Sequence, residues 1–136
     1  MNNFGHWKIS PNISQDIPVD AIGFVYIITN KLVGKSYIGK KLLQFKRSRK
    51  PLKGKVNTRR YKIESDWKEY TGSSPSLNEY VFKNGKSEFE FTILHFHPSK
   101  LLLSYYEIKE IVDRNAIFSS EYYNEVLNCR FRYKKQ

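Results

Sequence analysis

Two apolar runs each carry one tyrosine at a matched place, and lysines follow the second: "FVYIITN" holds Tyr26, and "SYIGKK" holds Tyr37, Lys40 and Lys41. A phenol is a weak acid, with a pKa of about 10, and it accepts a proton usefully only where nearby positive charge lowers that value. Lys41 follows Tyr37 by four residues on the same strand parity, and Lys40 and Arg47 can add to its field. Two carboxylates on one predicted helix, Glu107 and Glu110, are the second chemical element. Glu107 stands four residues after Leu103 and four before Ile111, in an apolar stripe where an unpartnered carboxylate is costly. Glu110 precedes Arg114 by four residues, the ordinary arrangement of an exposed helix pair. His95 and His97 share one strand face, but two histidines without further ligands read as surface residues.

The third element is charge. The 136-residue chain has a formal net charge of +11, and a basic surface attracts polyanions through phosphate contacts and counterion release. From Lys40 to Lys62 the chain holds eleven basic residues and no acidic one, so this segment matches the whole excess. Lys40, Lys46, Arg49, Lys50, Lys53, Lys55, Arg59, Arg60 and Lys62 are the candidate nucleic-acid contacts, with Phe45 and Tyr61 interleaved. A single cysteine, Cys129, excludes an internal disulfide and a cysteine-based zinc site, and reads as a small semi-buried side chain. No apolar run reaches the roughly 20 residues of a membrane span, and "MNNFGHWKISPN" lacks signal-peptide order, so a cytoplasmic location is expected.

These side chains need elements to hold them. The length suits one core. Residues 1–22 read as an irregular arm anchored by Trp7 and Ile9, followed by the main domain over 23–128 with a basic insert at about 46–62, and a basic tail over 129–136. The two tyrosine runs read as a hairpin across "KLVGK"; Tyr26, Ile28 and Asn30 share one face, and Tyr37, Gly39 and Lys41 share one face, so both phenols can meet on one surface. "GKKLLQFKRSRK" is a candidate short helix ending before Pro51, and "PLKGKVNTRR" a loop. "ESDWKEYTGSS" is a connector with Trp67 and Tyr70 buried. A helix follows in "PSLNEYVFKNG", with Ser76 as a possible cap and Gly85 at its end, and then a third strand in "EFEFTILHF". The longest helix begins near Ser99, and "EVLNCRF" near the end is strand-like.

Taken together, the spacing resembles the GIY-YIG nucleases, whose first strand reads "GIYxIxN" and whose second ends "YIG" or "YVG". Val25, Tyr26, Ile28 and Asn30 match the first, and Tyr37, Ile38 and Gly39 the second. Arg47 stands where the family has an arginine about two helical turns on, with Arg49, Arg59 and Arg60 as alternatives. Gly85, Phe89 or Phe91, Ile93 and Leu94 match a "G…F…IL" passage, a glutamate follows on a long helix, and Tyr123 and Asn124 match a late "YN" pair. The chain departs from the pattern at Phe24, where the family has the leading glycine, and lacks a histidine that some members carry after the arginine.

The resemblance implies an α+β fold, a small three-stranded, mainly antiparallel sheet flanked by helices. It also implies a metal-dependent DNA endonuclease, similar to the compact homing-type or Seg-like nucleases of phages and mobile elements. In the family's chemistry Tyr26 or Tyr37 takes a proton from the attacking water, Lys41 tunes the phenol, and Arg47 steadies the scissile phosphate. Glu107, preferred over Glu110, holds Mg2+ or Mn2+, and Asn124 and Gly39 are supports. Double-stranded DNA is the implied partner, with a dimer on DNA possible and no membrane. A restriction-type enzyme and an inactive nucleic-acid-binding module are the rival readings.

Overall fold

The computed structural model describes residues 3–57, 59–127 and 132–135. The central strand is β2 (Gly23–Asn30), whose run "GFVYIITN" is almost continuously apolar because both of its faces are covered. It pairs antiparallel with β3 (Lys35–Leu42) on one side and with β6 (Phe89–His97) on the other. The arm is not irregular throughout. In β1 (Trp7–Ile9), Trp7 and Ile9 point inward around exposed Lys8, and the strand adds parallel to β6, giving four strands in the order β1-β6-β2-β3 rather than three. β3 is therefore an edge.

One face of the sheet packs Phe24, Tyr26, Ile28, Phe91 and Ile93 against Trp7, Trp67 and helix α1 (Pro75–Asn84). The other packs Val25 and Ile38 against Leu103 and Ile111 of helix α2 (Lys100–Asp113). The N-cap of α1 is Ser74 and not Ser76: its side chain accepts from Leu77 N–H, and Pro75 takes the first helical position, where its missing N–H is harmless. Gly85 closes the helix at φ 83°. Ser99 caps α2 by accepting from Leu102 N–H at 3.2 Å.

The helix expected over residues 39–50 is absent. β3 runs to Leu42, Leu43 is buried, and Gln44–Arg49 forms β4, paired antiparallel with β5 (Arg59–Glu64) as a separate two-stranded hairpin. The reason is periodicity: past Phe45 this segment has no apolar residue at helical spacing to bury, whereas alternation places Phe45, Arg47 and Arg49 on one strand face. Residues 125–127 form no strand, and the remainder of "EVLNCRF", Cys129 included, lies outside the described residues.

Candidate active site

The register sets Tyr26 opposite Gly39 and Ile28 opposite Tyr37. Tyr26 is 1% exposed, and its ring crosses over Gly39, where any Cβ would collide with the phenol hydroxyl. Gly39 is thus a clearance for Tyr26. The Tyr37 ring lies alongside, its centroid 6.3 Å from that of Tyr26, and its hydroxyl bonds Ser73 Oγ at 2.8 Å.

A third phenol completes the group. Tyr70 meets Tyr26 edge-on at 6.2 Å, close enough for its charge to raise the Tyr26 pKa, and lies beside Ser73. The sequence reading treated Tyr70 as a buried connector residue and passed over Ser73. The signal that could have found them is "YTGSS", in which Gly72 (φ 87°) turns the chain so that Tyr70 and Ser73 both return to the sheet.

Burial pushes the Tyr26 pKa well above its usual value, with the Tyr37, Tyr70 and Glu107 charges acting in the same direction. Tyr37 is also raised, first by burial and further by Glu107, against the lowering effect of Ser73. The expectation of a phenol depressed by Lys41 is overturned. Lys41 Nζ is committed to Asp66 at 2.7 Å and sits 3.9 Å over the Tyr70 ring, so its charge is already paired.

Glu107 is half-buried on the inner side of α2, and burial raises its carboxyl pKa against the opposing charge of Lys40 at 3.9 Å. Lys40 Nζ also donates to Ser104 Oγ at 2.8 Å. Glu110 faces away, bonded to Arg114 Nε at 3.0 Å and near His95 Nε2 at 3.5 Å. Among the described residues no group of three or more His, Cys, Asp or Glu side chains is arranged to hold a metal. A hard divalent cation that keeps most of its waters needs only one or two protein oxygens, and a half-buried, unsaturated carboxylate such as Glu107 fits that requirement.

Asn124 does not face the glutamate. Its Oδ1 accepts from Ile38 N–H at 2.9 Å and its Nδ2 donates to Ile38 C=O at 2.8 Å, so one buried amide stands in for a neighbouring strand. Beside it, Ser36 pairs with residues 121–123. The edge of β3 is thereby closed up to Ile38 and open from Lys40 onward.

From Lys40 a cleft leads to the hairpin. A cavity of about 340 Å³ is lined by Lys40, Lys41, Phe45, Lys100 and Ser104. It shares Leu42, Phe45 and Lys100 with one of about 430 Å³ that adds Lys46, Arg47 and Lys62. Arg47 therefore stands in the wall of the cleft, its guanidinium 4.8 Å over the Phe45 ring, and not beside the phenols. Arg49 lies 4.3 Å over the Tyr61 ring, Arg59 Nε reaches Lys50 C=O at 3.4 Å, and Arg60 is exposed on β5. Lys53 and Lys55 are exposed in the hairpin loop.

No helix of the described residues is long and apolar enough to cross a membrane. A family model described as "Putative endonuclease segE, GIY-YIG domain" matches residues 7–127. No curated protein and no solved structure matches the chain.

Proposed function

From the premise that the chain belongs to the GIY-YIG endonucleases, which hydrolyse phosphodiester bonds in DNA, we propose that it is a divalent-metal-dependent nuclease of the homing or mobile-element type acting on double-stranded DNA. The observation that carries the assignment of roles is that the Glu107 charge raises the pKa of both Tyr26 and Tyr37, although α2 and the phenols pack on opposite faces of the sheet. A basic cleft opens beside Lys40 and Lys41 on the same strand as Tyr37.

Glu107 is the residue that would hold Mg2+ or Mn2+. Such an ion supplies Lewis-acid stabilisation of the phosphate and a more acidic water. Tyr37 is the better proton acceptor of the two phenols, because Tyr26 is more deeply buried and more strongly raised. Tyr26, held over Gly39 with its pKa raised, stays neutral and is the phenol that donates to the reacting oxygen. Neutralising Glu107 removes one contribution that keeps both phenols protonated. Lys40 offers its charge to a non-bridging oxygen, and Arg47 steadies the phosphate chain along the cleft.

Incubation with supercoiled plasmid and MgCl2 or MnCl2 tests this reading. Nicked or linear product that EDTA abolishes supports it. Retarded but intact DNA at every metal concentration would instead make the chain a binding module. Sequenced cleavage ends separate tolerant, homing-like cutting from the strict sites of a restriction enzyme.

A further inference from the structure

The β4–β5 hairpin is dispensable to the core: among its residues Phe45 and Tyr61 are half-buried and the others exposed. It nevertheless pairs in full register, with Lys46 directly opposite Lys62 and Arg49 opposite Arg59. Like charges directly opposite on a sheet are destabilising, and from Lys46 to Lys62 there are nine basic residues and no acid to relieve them. The two like-charged pairs lie on opposite faces of the ribbon, so both faces are cationic.

We propose that this hairpin is a ribbon that reads duplex DNA, lying in the major groove beside the scissile phosphate and setting where the protein cuts. The proposal rests on the endonuclease reading above. A ribbon charged on both faces complements a groove with a phosphate wall on each side, which a single strand does not offer. Two strands about 4.8 Å apart fit a major groove about 12 Å wide, whereas the deep, narrow major groove of A-form RNA excludes them.

One arginine is prepared for a base edge. Arg49 is spread over Tyr61, which orients a planar guanidinium fork of the kind that pairs with guanine O6 and N7, while Arg47 stays in the cleft wall with the phosphate chain. The base of the ribbon is clamped to the end of β3, since Ser65 N–H donates to Leu43 C=O at 2.9 Å and Ser65 Oγ to Leu42 C=O at 2.5 Å. That clamp fixes the offset between reading and cutting. A six-residue strand spans about 20 Å, or about six base pairs at 3.4 Å each, so the sequence bias should lie within about six base pairs on one side of the cut.

The test uses the full chain and an Arg49→Gln/Arg59→Gln/Arg60→Gln variant. Each is titrated in EDTA against one labelled sequence as duplex DNA, single-stranded DNA and duplex RNA, and each is given Mg2+ and a randomised duplex library for end sequencing. The Gln variant is expected to lose about 10- to 100-fold in duplex DNA affinity but under about threefold on the single strand, and to lose the bias beside the cut. An Arg49→Lys/Arg59→Lys/Arg60→Lys variant keeps the charge but not the fork; it is expected to hold duplex affinity within about threefold and still lose the bias, a result that misfolding cannot mimic. Equal losses on duplex and single strand, an unchanged bias, or equal hairpin-dependent affinity for duplex RNA overturns the proposal. If the parent binds duplex DNA through the hairpin but never cuts, the endonuclease reading fails and duplex recognition stands.

Discussion

The edge of the four-stranded sheet and the β4–β5 hairpin both combine cations with aromatic rings, and they use them in opposite ways. At the edge each charge has a specific partner: Lys41 is paired with Asp66 and lies over Tyr70, with its side chain 11% exposed, and Lys40 reaches Ser104 and Glu107. On the hairpin, like charges face each other and the counter-charge must come from outside. Where groups are half-buried and paired, each is irreplaceable; where they are exposed and alike, their number matters more than their identity for affinity. The two regions should therefore respond differently to substitution.

The largest expected effect is at the edge. Glu107→Gln should reduce plasmid cleavage to background while Glu110→Gln, whose carboxylate serves Arg114 and His95, stays near the parent rate. The same substitution should stabilise the metal-free fold. Burial raises the Glu107 pKa, so the folded state binds its proton more tightly than the unfolded state, and stability is lost as pH rises through the folded value. Thermal melts in EDTA should show Glu107→Gln above the parent at pH 8, with the gap closing as pH falls below about 4, near the ordinary carboxylate range. A variant that loses both activity and stability at pH 8 would make Glu107 a structural residue.

Next come the phenols. Tyr37→Phe and Tyr26→Phe should each cost about 10²- to 10⁴-fold in single-turnover rate, with Tyr37→Phe abolishing the rise of rate with pH that a proton acceptor imposes. Tyr70→Phe keeps the edge-on ring contact with Tyr26, so it should cost under about fivefold, less than one hydrogen bond of about 1 kcal/mol. Should Tyr26→Phe and Tyr37→Phe both cut at the parent rate, the edge is only a core.

Stability effects at the edge are smaller. Gly39→Ala puts a methyl into the Tyr26 hydroxyl, and overpacking of this kind costs about 1–3 kcal/mol, read as a lower urea midpoint. Asn124→Ala strips the Ile38 peptide of both side-chain bonds and should cost about 1–3 kcal/mol. The smallest effect belongs to the hairpin loop. Lys53→Gln and Lys55→Gln should each lower the slope of log affinity against log salt by at most about 0.9 and act additively, which a fluorescence titration across salt concentrations measures. Strong non-additivity there would mean that the loop resembles the edge more than the comparison allows.

Much of this was legible in the chain because it is local. The alternation around Phe91 and Ile93, the stripe of Leu103, Glu107 and Ile111, and the "YIITN" and "SYIG" runs encode their elements within a few residues. The first strand of the hairpin reads locally as a helix and the start of the second as a loop, because the pairing joins residues up to twenty apart, such as Gln44 with Glu64, and no window near Pro51 contains both partners. The sequence marks Asn124 only as a support, because its partner is a peptide 86 residues earlier. The charge run needs no particular pairing to act, since solvated cations attract phosphate wherever they fold.

The sequence by itself determined the family, the basic segment, and the placing of Tyr26 and Tyr37 on one face of a hairpin, since strand parity and charge are properties of neighbours along the chain. Only the tertiary structure decided the state of the site. The return of "YTGSS" brings Tyr70 and Ser73 to the phenols, Asp66 takes up Lys41, and packing against α2 buries Glu107. A pKa depends on desolvation and on charges arriving from distant parts of the chain, and those terms do not exist until the fold has closed around them.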